Sequence, residues 1–379
     1  MTATAAELGI DAQAVERLLG ECATFPARWY FDSAIYDFEL DAIWNRRWQM
    51  AATQSTLLGP GDFVVTAAGR VPILLARDRD QSLHAFVNVC PHRGFPVVLG
   101  NSGSGATEWM CKYHGWTFGI DGRLESAPGT EAEPTFDRGA CGLRPVALDT
   151  WGEAIFVHAD PSAAPLREAH PRLAGFAAEL GLEPEFSRYT YFETRTYDVL
   201  ANWKLVADNF LECYHCPTVH PTTLQAGFDG AAGHWEYLQE GELFSSRFVP
   251  DGDTGLQFYG ALQALPGFLI IQHDDFGLLG QAVPTGVDSV RFTAHLYREP
   301  ESDDSAVMEW IRVWDSTFVE DFDVIEVQQR SLRATNFDRG RYIPASEGLI
   351  IRLQEIIWSA YKTAWAPDGA QAKDARLSD

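Results

Sequence analysis

Two histidines stand close together in residues 202–221, which read NWKLVADNFLECYHCPTVHP. They are His215 and His220, and Glu212 precedes the first of them by three positions. Two imidazoles and a carboxylate from elsewhere form an open iron(II) site, in which other coordination positions stay free. Because a lone histidine is more often a hydrogen-bonded core residue, the prediction of a metal site depends on the pair and on a further ligand.

A carboxylate on a distant helix is the candidate for that further ligand. Residues 304–335 have helical periodicity, and Asp321 falls on the apolar face. Glu320 and Asp323 fall on other faces, and we expect them to be solvated. A buried carboxylate needs a partner, which a metal ion would supply, although a buried arginine or a helix cap are alternatives. The apolar face consists of Ile311, Trp314, Phe318 and Ile325.

A second cluster of metal-ligand types lies upstream. Cys90 and His92 are in the segment C-P-H-R-G, and Cys111 and His114 are in C-K-Y-H-G-W. Two thiolates can hold one iron of a two-iron cluster while two imidazoles hold the other. A structural zinc site uses the same ligand types, but its cysteines usually form one pair and its histidines another. The mixed pairs therefore favour a [2Fe-2S] cluster, with zinc as the alternative.

Another pair of cysteines flanks His215. Cys213 and Cys216 have the C-x-x-C spacing that is typical of redox-active proteins. The surrounding sequence lacks a thioredoxin-like βαβ pattern, so we do not expect a redox role for this pair.

Short β-rich segments separated by turns occupy residues 59–160 and predict a small all-β domain. IDGR at 120–123 is typical of a tight hairpin, because Asp-Gly suits positive φ. Downstream, the sequence predicts a helix from Trp203 to about Val219 with a stop near Pro217, then several strands and two long helices. Strands followed by helices indicate an α+β domain, in which an antiparallel sheet carries helices on one side.

Three regions follow from this pattern. We expect residues 1–44 to form helices that pack on the second domain, residues 45–160 to form the all-β domain, and residues 161–379 to form the α+β domain.

Composition excludes several classes of protein. A net charge of −24 argues against a nucleic-acid partner, which requires a basic surface. We find no apolar run of membrane-spanning length and no signal-peptide pattern at the N-terminus. Six cysteines in 379 residues do not form a disulfide scaffold. We therefore expect a cytoplasmic protein in a reducing environment, where cysteine–histidine clusters bind metal.

The cysteine–histidine segments resemble the Rieske [2Fe-2S] motif, C-x-H followed by C-x-x-H. Residues 202–204, 208–215 and 320–330 resemble the catalytic domain of Rieske non-heme iron oxygenases, the large (α) subunit of the ring-hydroxylating oxygenase family. This resemblance implies a Rieske domain, a helix-grip catalytic domain, a Rieske cluster and a mononuclear Fe(II). The implied cluster ligands are Cys90, His92, Cys111 and His114, and the implied ligands of the mononuclear iron are His215, His220 and Asp321.

The resemblance also implies roles for two neighbours of the histidines. Glu212 is similar to the acidic residue that links the mononuclear iron's histidine to a Rieske histidine of the next subunit. Asn209 is similar to a residue close to the iron that is usually not a ligand. ECYHCPTVHP looks most like the homo-oligomeric members, some of which oxidise quaternary ammonium compounds, so the resemblance implies a homotrimer.

The implied activity is that of a terminal oxygenase component. It uses O2 and electrons from an NAD(P)H-dependent flavin/iron-sulfur reductase, in some members through a ferredoxin, to hydroxylate or oxidatively demethylate a small aromatic compound or quaternary amine. The alternative is a Rieske-type electron-transfer protein without oxygenase activity. Five aromatic residues could form a cage for a cationic substrate, although core packing is the more common role of such residues: Phe258, Tyr259, Phe268, Phe276 and Trp310.

Overall fold

The fold consists of two compact units. One comprises Met1–Ile43 and Arg172–Asp379, and the other comprises Trp44–Pro171. No helix among the described residues is long and apolar enough to cross a membrane. The computed structural model describes residues 3–224, 233–250, 259–272, 276–334 and 336–366.

Two helices begin the first unit, α1 (Ala12–Gly20) and α2 (Ser33–Ala42). Each has an aspartate at its N-cap, Asp11 and Asp32, whose side chain accepts hydrogen bonds from backbone N–H groups of the first turn. Such caps satisfy donors that have no partner within the helix.

The second unit contains three small antiparallel sheets, with strand orders β1-β10-β9, β4-β3-β2-β5 and β6-β7-β8. The hairpin expected at IDGR joins β7 to β8, and Gly122 has a φ of +78° there. Strands β1 and β9 were not apparent in the sequence. The elements are β1 (Gln49–Thr53), β2 (Phe63–Ala68), β3 (Val71–Arg77), β4 (Leu83–Val87), β5 (Ser102–Gly103), β6 (Glu108–Met110), β7 (Thr117–Gly119), β8 (Leu124–Ser126), β9 (Ala147–Trp151), β10 (Ala154–His158) and the short helix α3 (Leu166–Ala169).

The remainder of the first unit is a seven-stranded antiparallel sheet with helices. The strand order is β11-β17-β16-β15-β14-β13-β12, and the predicted α+β class is confirmed. The elements are α4 (Leu173–Glu179), β11 (Thr190–Val199), α5 (Trp203–Phe210), α6 (Cys216–Val219), β12 (Gly233–Glu240), β13 (Leu243–Pro250), β14 (Tyr259–Ala264), β15 (Phe268–Gln272), β16 (Phe276–Gly286), β17 (Ser289–Arg298), α7 (Asp304–Leu332) and α8 (Gly348–Trp365).

The helix predicted from Trp203 to about Val219, with a stop near Pro217, is interrupted earlier than predicted. Helix α5 ends at Phe210, and α6 begins only at Cys216. The Glu212 carboxylate accepts hydrogen bonds from the backbone N–H groups of Tyr214 and His215, and such local bonds compete with those of a helix. Pro217 lies in the first turn of α6, where proline is well tolerated, and so it does not stop the helix.

A buried ion pair connects α5 to α2. The Lys204 ammonium lies 2.7 Å from Glu39 Oε1, and both side chains are almost completely buried. Trp203 Nε1 and the Tyr361 hydroxyl also donate hydrogen bonds to Glu39, at 2.8 and 2.6 Å. The carboxylate is thus satisfied from three sides, which is the condition under which a buried charge is tolerated.

We expect Glu39→Ala to lower the free energy of unfolding by about 3–5 kcal/mol, because it leaves the Lys204 ammonium buried without its counterion. The double variant Glu39→Leu/Lys204→Met removes both charges and should lose less stability than the single variant. Denaturant unfolding measures both values. Equal destabilisation by the single and the double change would show that packing, and not the stranded charge, determines the loss.

Candidate metal centres

The two histidines and Asp321 converge in the first unit. His215 Nε2 lies 3.1 Å from Asp321 Oδ1, and His220 Nε2 lies 3.0 Å from the same oxygen. His215 precedes α6, His220 follows it, and Asp321 lies on the apolar face of α7. Asp321 is only 5% exposed, as its position in the helical pattern predicts. Donors from two segments that are distant in sequence therefore surround one point.

The electrostatics of this group favour a cation. Burial opposes ionisation of Asp321, but hydrogen bonds from His215 and His220 outweigh burial and lower the pKa of its carboxyl group. Burial likewise opposes protonation of His215, yet the hydrogen bonds to Asp321 and Glu212 raise its pKa to about 9. The carboxylates thus stabilise positive charge between the rings. The donor set, two imidazoles and one carboxylate, fits iron(II).

Asn209 on α5 and Glu212 just after it form hydrogen bonds with Asp321 and His215. The Glu212 carboxylate accepts a hydrogen bond from His215 Nδ1, which leaves the opposite ring nitrogen directed at Asp321. Asn209 Nδ2 donates to Asp321 Oδ1 at 3.1 Å. The buried Asn209 Oδ1 has no hydrogen-bond partner within the described part of the chain, so the site contains a polar atom that a ligand could satisfy.

The expectation that Glu320 is solvated holds only in part, because 31% of its side chain is exposed but its carboxylate also contacts His220. Its Oε2 lies 2.7 Å from His220 Nδ1 and accepts a hydrogen bond from the Thr223 hydroxyl at 2.6 Å. The sequence pattern missed this contact because His220 lies against the side of α7, and not only against its apolar face. Asp323, by contrast, is exposed as expected. Each histidine thus has a carboxylate at its Nδ1, an arrangement that orients metal-binding imidazoles.

Cys213 and Cys216 form a disulfide, a bond that the sequence pattern did not predict. The sulfur of Cys216 and ring nitrogens of His215 and His220 all lie within 4.8 Å of one another. A sulfur in a disulfide is not a thiolate, however, so Asp321 is the better third donor in this state.

A cavity opens beside these residues. Its wall includes both histidines, Asp321 and the disulfide. Four aromatic side chains also line it, Phe210, Trp235, Trp314 and Phe318.

These aromatic residues differ from those suggested by the sequence. Phe268 and Phe276 are almost fully buried, and neither they nor Trp310 line this cavity. Phe258 lies outside the described residues, as does the side chain of Tyr259. Trp235 could not be anticipated, because its strand β12 was not recognised in the sequence.

In the second unit the four cluster residues lie on two loops of similar conformation, residues 90–95 and 111–116, which are called the two matching loops. Cys90 N–H donates to Phe95 O and Cys111 N–H to Trp116 O, both at 2.8 Å. Gly94 and Gly115 take φ values of +76° and +73° at equivalent positions, a conformation that favours glycine.

The ligand types on these loops divide by exposure. Cys90 and Cys111 are each 2% exposed, whereas His92 and His114 are exposed, with ring centroids 4.5 Å apart. Burial is the main cause of a raised pKa at the Cys90 thiol. Two buried sulfurs beside two surface imidazoles fit a cluster with one cysteine-bound and one histidine-bound iron.

Two family models match the chain. Residues 47–137 match the Rieske [2Fe-2S] domain, and residues 186–363 match the catalytic domain of the ring hydroxylating alpha subunit. The carnitine monooxygenase oxygenase subunit of Escherichia coli (strain K12) is 29% identical over 345 residues, which cover 86% of this chain and 89% of that protein. The chloroplastic choline monooxygenase of Spinacia oleracea is 28% identical over 335 residues, with 86% and 76% covered.

Solved structures have the same fold. The quaternary ammonium Rieske monooxygenase CntA in complex with L-carnitine aligns with a TM-score of 0.78 at 24% identity, covering 89% of this chain and 96% of that chain. Naphthalene 1,2-dioxygenase from Rhodococcus sp. aligns with a TM-score of 0.77 at 18% identity, covering 92% and 98%. At these identities the similarity establishes the architecture.

Together these findings define an iron-dependent oxygenase that contains its own iron–sulfur domain. The chain belongs to the Rieske non-heme iron oxygenases, in the family of the ring-hydroxylating alpha subunits. The predicted terminal oxygenase function and its two cofactors, a Rieske [2Fe-2S] cluster and a mononuclear iron, are confirmed. A small-molecule substrate, O2 and a reductase partner follow from the family. The alternative of a plain electron-transfer protein and the zinc alternative are therefore set aside.

Proposed function

We propose that His215, His220 and Asp321 bind the mononuclear iron. The observation that carries this proposal is the convergence of both histidine Nε2 atoms on one Asp321 oxygen, at 3.1 and 3.0 Å. Asn209 holds that carboxylate through its amide N–H and leaves its own oxygen free towards the site. Glu212 and Glu320 fix the two imidazoles by accepting hydrogen bonds from their Nδ1–H groups.

The Rieske cluster is assigned to the two matching loops. Its proposed ligands are Cys90 and Cys111 on one iron and His92 and His114 on the other. The functional boundaries, 45–160 for the Rieske domain, 161–379 for the catalytic domain and 1–44 for the helices that pack on the latter, belong to the same proposal. Support comes from the family matches within the first two ranges.

Electron delivery is proposed to cross a subunit interface. When bound, the cluster supplies electrons and the mononuclear iron activates O2. His92 and His114 are exposed, which suits electron transfer from the cluster to another subunit. At the mononuclear site that would accept the electron, Glu212 is hydrogen-bonded to His215. We propose a cytoplasmic homotrimer that takes electrons from an NAD(P)H-dependent flavin/iron-sulfur reductase, directly or through a ferredoxin.

The proposed substrate is a quaternary amine, whose oxidation yields an alcohol or a demethylated product. The support is the cavity wall, in which Phe210, Trp235, Trp314 and Phe318 accompany the carboxylate of Asp321. Aromatic faces attract quaternary ammonium groups, which have no N–H to donate. Carnitine and choline are the substrates named for the relatives described above.

A matched pair of ligands tests this substrate class. Carnitine and choline should stimulate O2 uptake by the reduced protein with its reductase, whereas analogues with a neutral tert-butyl group in place of trimethylammonium should not. The pair has nearly equal shape, so the difference isolates the charge. Stimulation by aromatic acids such as benzoate, and not by the amines, would overturn the quaternary-amine assignment while leaving the oxygenase class intact.

Glu320 offers a test of the ligand assignment from outside the ligand set. We expect Glu320→Gln to weaken iron(II) binding by about 10–100-fold, because the carboxylate that orients His220 is lost. Iron titration of the metal-depleted protein measures this change. Glu326→Gln, on the same helix and bonded to Leu200 N–H, is the matched control and should bind iron normally. Equal iron(II) affinities in the two variants would show that Glu320 does not contribute to iron binding.

A further inference from the structure

A disulfide lies directly beside the proposed iron site. Cys213 and Cys216 are bonded to each other on either side of Tyr214 and His215. Cys216 is 3% exposed and begins α6, whereas Cys213 is half-buried. Both cysteines line the cavity that contains the histidines. The disulfide is therefore part of the wall within which the metal binds.

The sulfur of Cys216 is close enough to ligate the same ion. Cys216 Sγ lies 3.9 Å from His215 Nε2, and these atoms and a His220 ring nitrogen all lie within 4.8 Å of one another. Zinc–sulfur bonds are about 2.3 Å long and zinc–nitrogen bonds about 2.0–2.1 Å, so one ion can span the distance between the sulfur and the nitrogen. The disulfide prevents this ligation, since the metal ligand is the thiolate.

We propose that Cys213 and Cys216 are a redox-controlled part of this metal site. In the disulfide state the donors are His215, His220 and Asp321, the open set that suits iron(II). In the dithiol state Cys216 adds a thiolate, and the four donors then suit tetrahedral zinc. The state of the disulfide thus decides which metal the site prefers. This inference rests on the ligand assignment made under the proposed function.

The chemistry of the switch requires a dithiol reductant, either a small molecule or a thioredoxin-type protein. The reductant's thiolate attacks the more accessible Cys213 sulfur, and the S–S bond breaks. Two electrons and two protons pass to the pair, two S–H bonds form, and the reductant becomes a disulfide. Zinc then displaces the proton of the Cys216 thiol into solvent.

The loop geometry permits both states. Glu212 accepts hydrogen bonds from the backbone N–H groups of Tyr214 and His215 and from the His215 ring, and none of these bonds involves sulfur. His215 therefore keeps its orientation when the disulfide opens. Where thiols are kept reduced, a disulfide is usually transient and catalytic or redox-sensing, which fits a switch better than a structural brace.

Zinc affinity in two preparations of the full chain tests the proposal. The mononuclear site is emptied with a chelator, and the protein is divided into an oxidised sample and a sample reduced with dithiothreitol, which is then removed anaerobically. Alkylation and mass spectrometry establish the thiol state of each sample. We expect the reduced sample to bind zinc at least about tenfold more tightly, which corresponds to about 1.4 kcal/mol.

Two cysteine variants serve as matched controls. Cys216→Ser should abolish the difference between the samples, whereas Cys213→Ser leaves a permanent Cys216 thiol and should bind zinc tightly in both. The inference is overturned by equal zinc affinity in wild-type samples of different thiol state. It is also overturned if Cys213 and Cys216 remain free thiols in the oxidised sample, or if a redox difference survives in Cys216→Ser.

His220→Ala separates failure of this inference from failure of the ligand assignment. If His220 is a ligand, this variant loses zinc affinity in both redox states, whatever the cysteines do. Retained affinity in both states would overturn the ligand assignment itself.

Discussion

Replacement of Asp321 by alanine is expected to empty the mononuclear iron site and abolish substrate oxidation, while the Rieske cluster stays intact. Asp321 is the carboxylate on which both histidines converge, and its oxygen also accepts the Asn209 amide N–H. Loss of a group that only supports a ligand costs about 10–100-fold in metal affinity or activity, so loss of the ligand itself should exceed 100-fold.

Asp323→Ala is the control for this experiment. It removes the same side chain two residues further along α7, at an exposed position. Iron analysis, the visible spectrum of the cluster and product formation should be measured on both variants. Normal turnover in Asp321→Ala, or an equal loss in Asp323→Ala, would remove Asp321 from the iron site.

The second large effect is expected at Glu212. With iron(II) in excess, so that the mononuclear site stays loaded although its affinity is lowered as in Glu320→Gln, we expect Glu212→Gln to slow reoxidation of the reduced cluster by about 10–100-fold, the range typical of lost partners of metal-bound histidines. Glutamine preserves the shape of the side chain but removes the charge of the carboxylate that accepts a hydrogen bond from His215 Nδ1–H. Rapid mixing of the reduced protein with O2 and substrate measures the rate as cluster absorbance returns.

Glu347→Gln provides a comparison at a neighbouring carboxylate. Burial raises the pKa of Glu347, the hydrogen bond from Ile343 N–H opposes this effect, and the nearby Glu212 charge adds a smaller rise. Glu347 Oε2 accepts from Ile343 N–H and not from a histidine. Its removal should leave the rate of cluster reoxidation unchanged. An unchanged rate in Glu212→Gln as well would contradict the proposed electron path through Glu212.

The features that sequence could predict are those with a local pattern. The two cysteine–histidine loops are visible because ligand spacing and glycine positions lie within a few residues of each other. Asp321 could be identified because a charged residue on an otherwise apolar helical face requires a partner.

The features that sequence could not predict depend on tertiary contacts. Glu320 contacts His220 only because α6 packs beside α7, since the two residues are 100 positions apart in sequence. The break between α5 and α6 follows from the hydrogen bonds of one carboxylate, Glu212, which outweigh a sequence that otherwise suits a helix. Trp235 lines the cavity from β12, a strand that the sequence did not predict because it contains many polar residues. Strand preference depends on contacts with neighbouring strands, which a local pattern does not contain.

The most direct test of the central claim is a single turnover under 18O2. The fully reduced, iron-loaded protein is mixed with carnitine or choline. Aldehyde products are reduced at once with borohydride, before their oxygen exchanges with water, and are then analysed by mass spectrometry. The account predicts that one 18O atom enters the hydroxylated carbon of the product, and that Asp321→Ala forms none. Product without 18O, or unchanged labelling in Asp321→Ala, would contradict it.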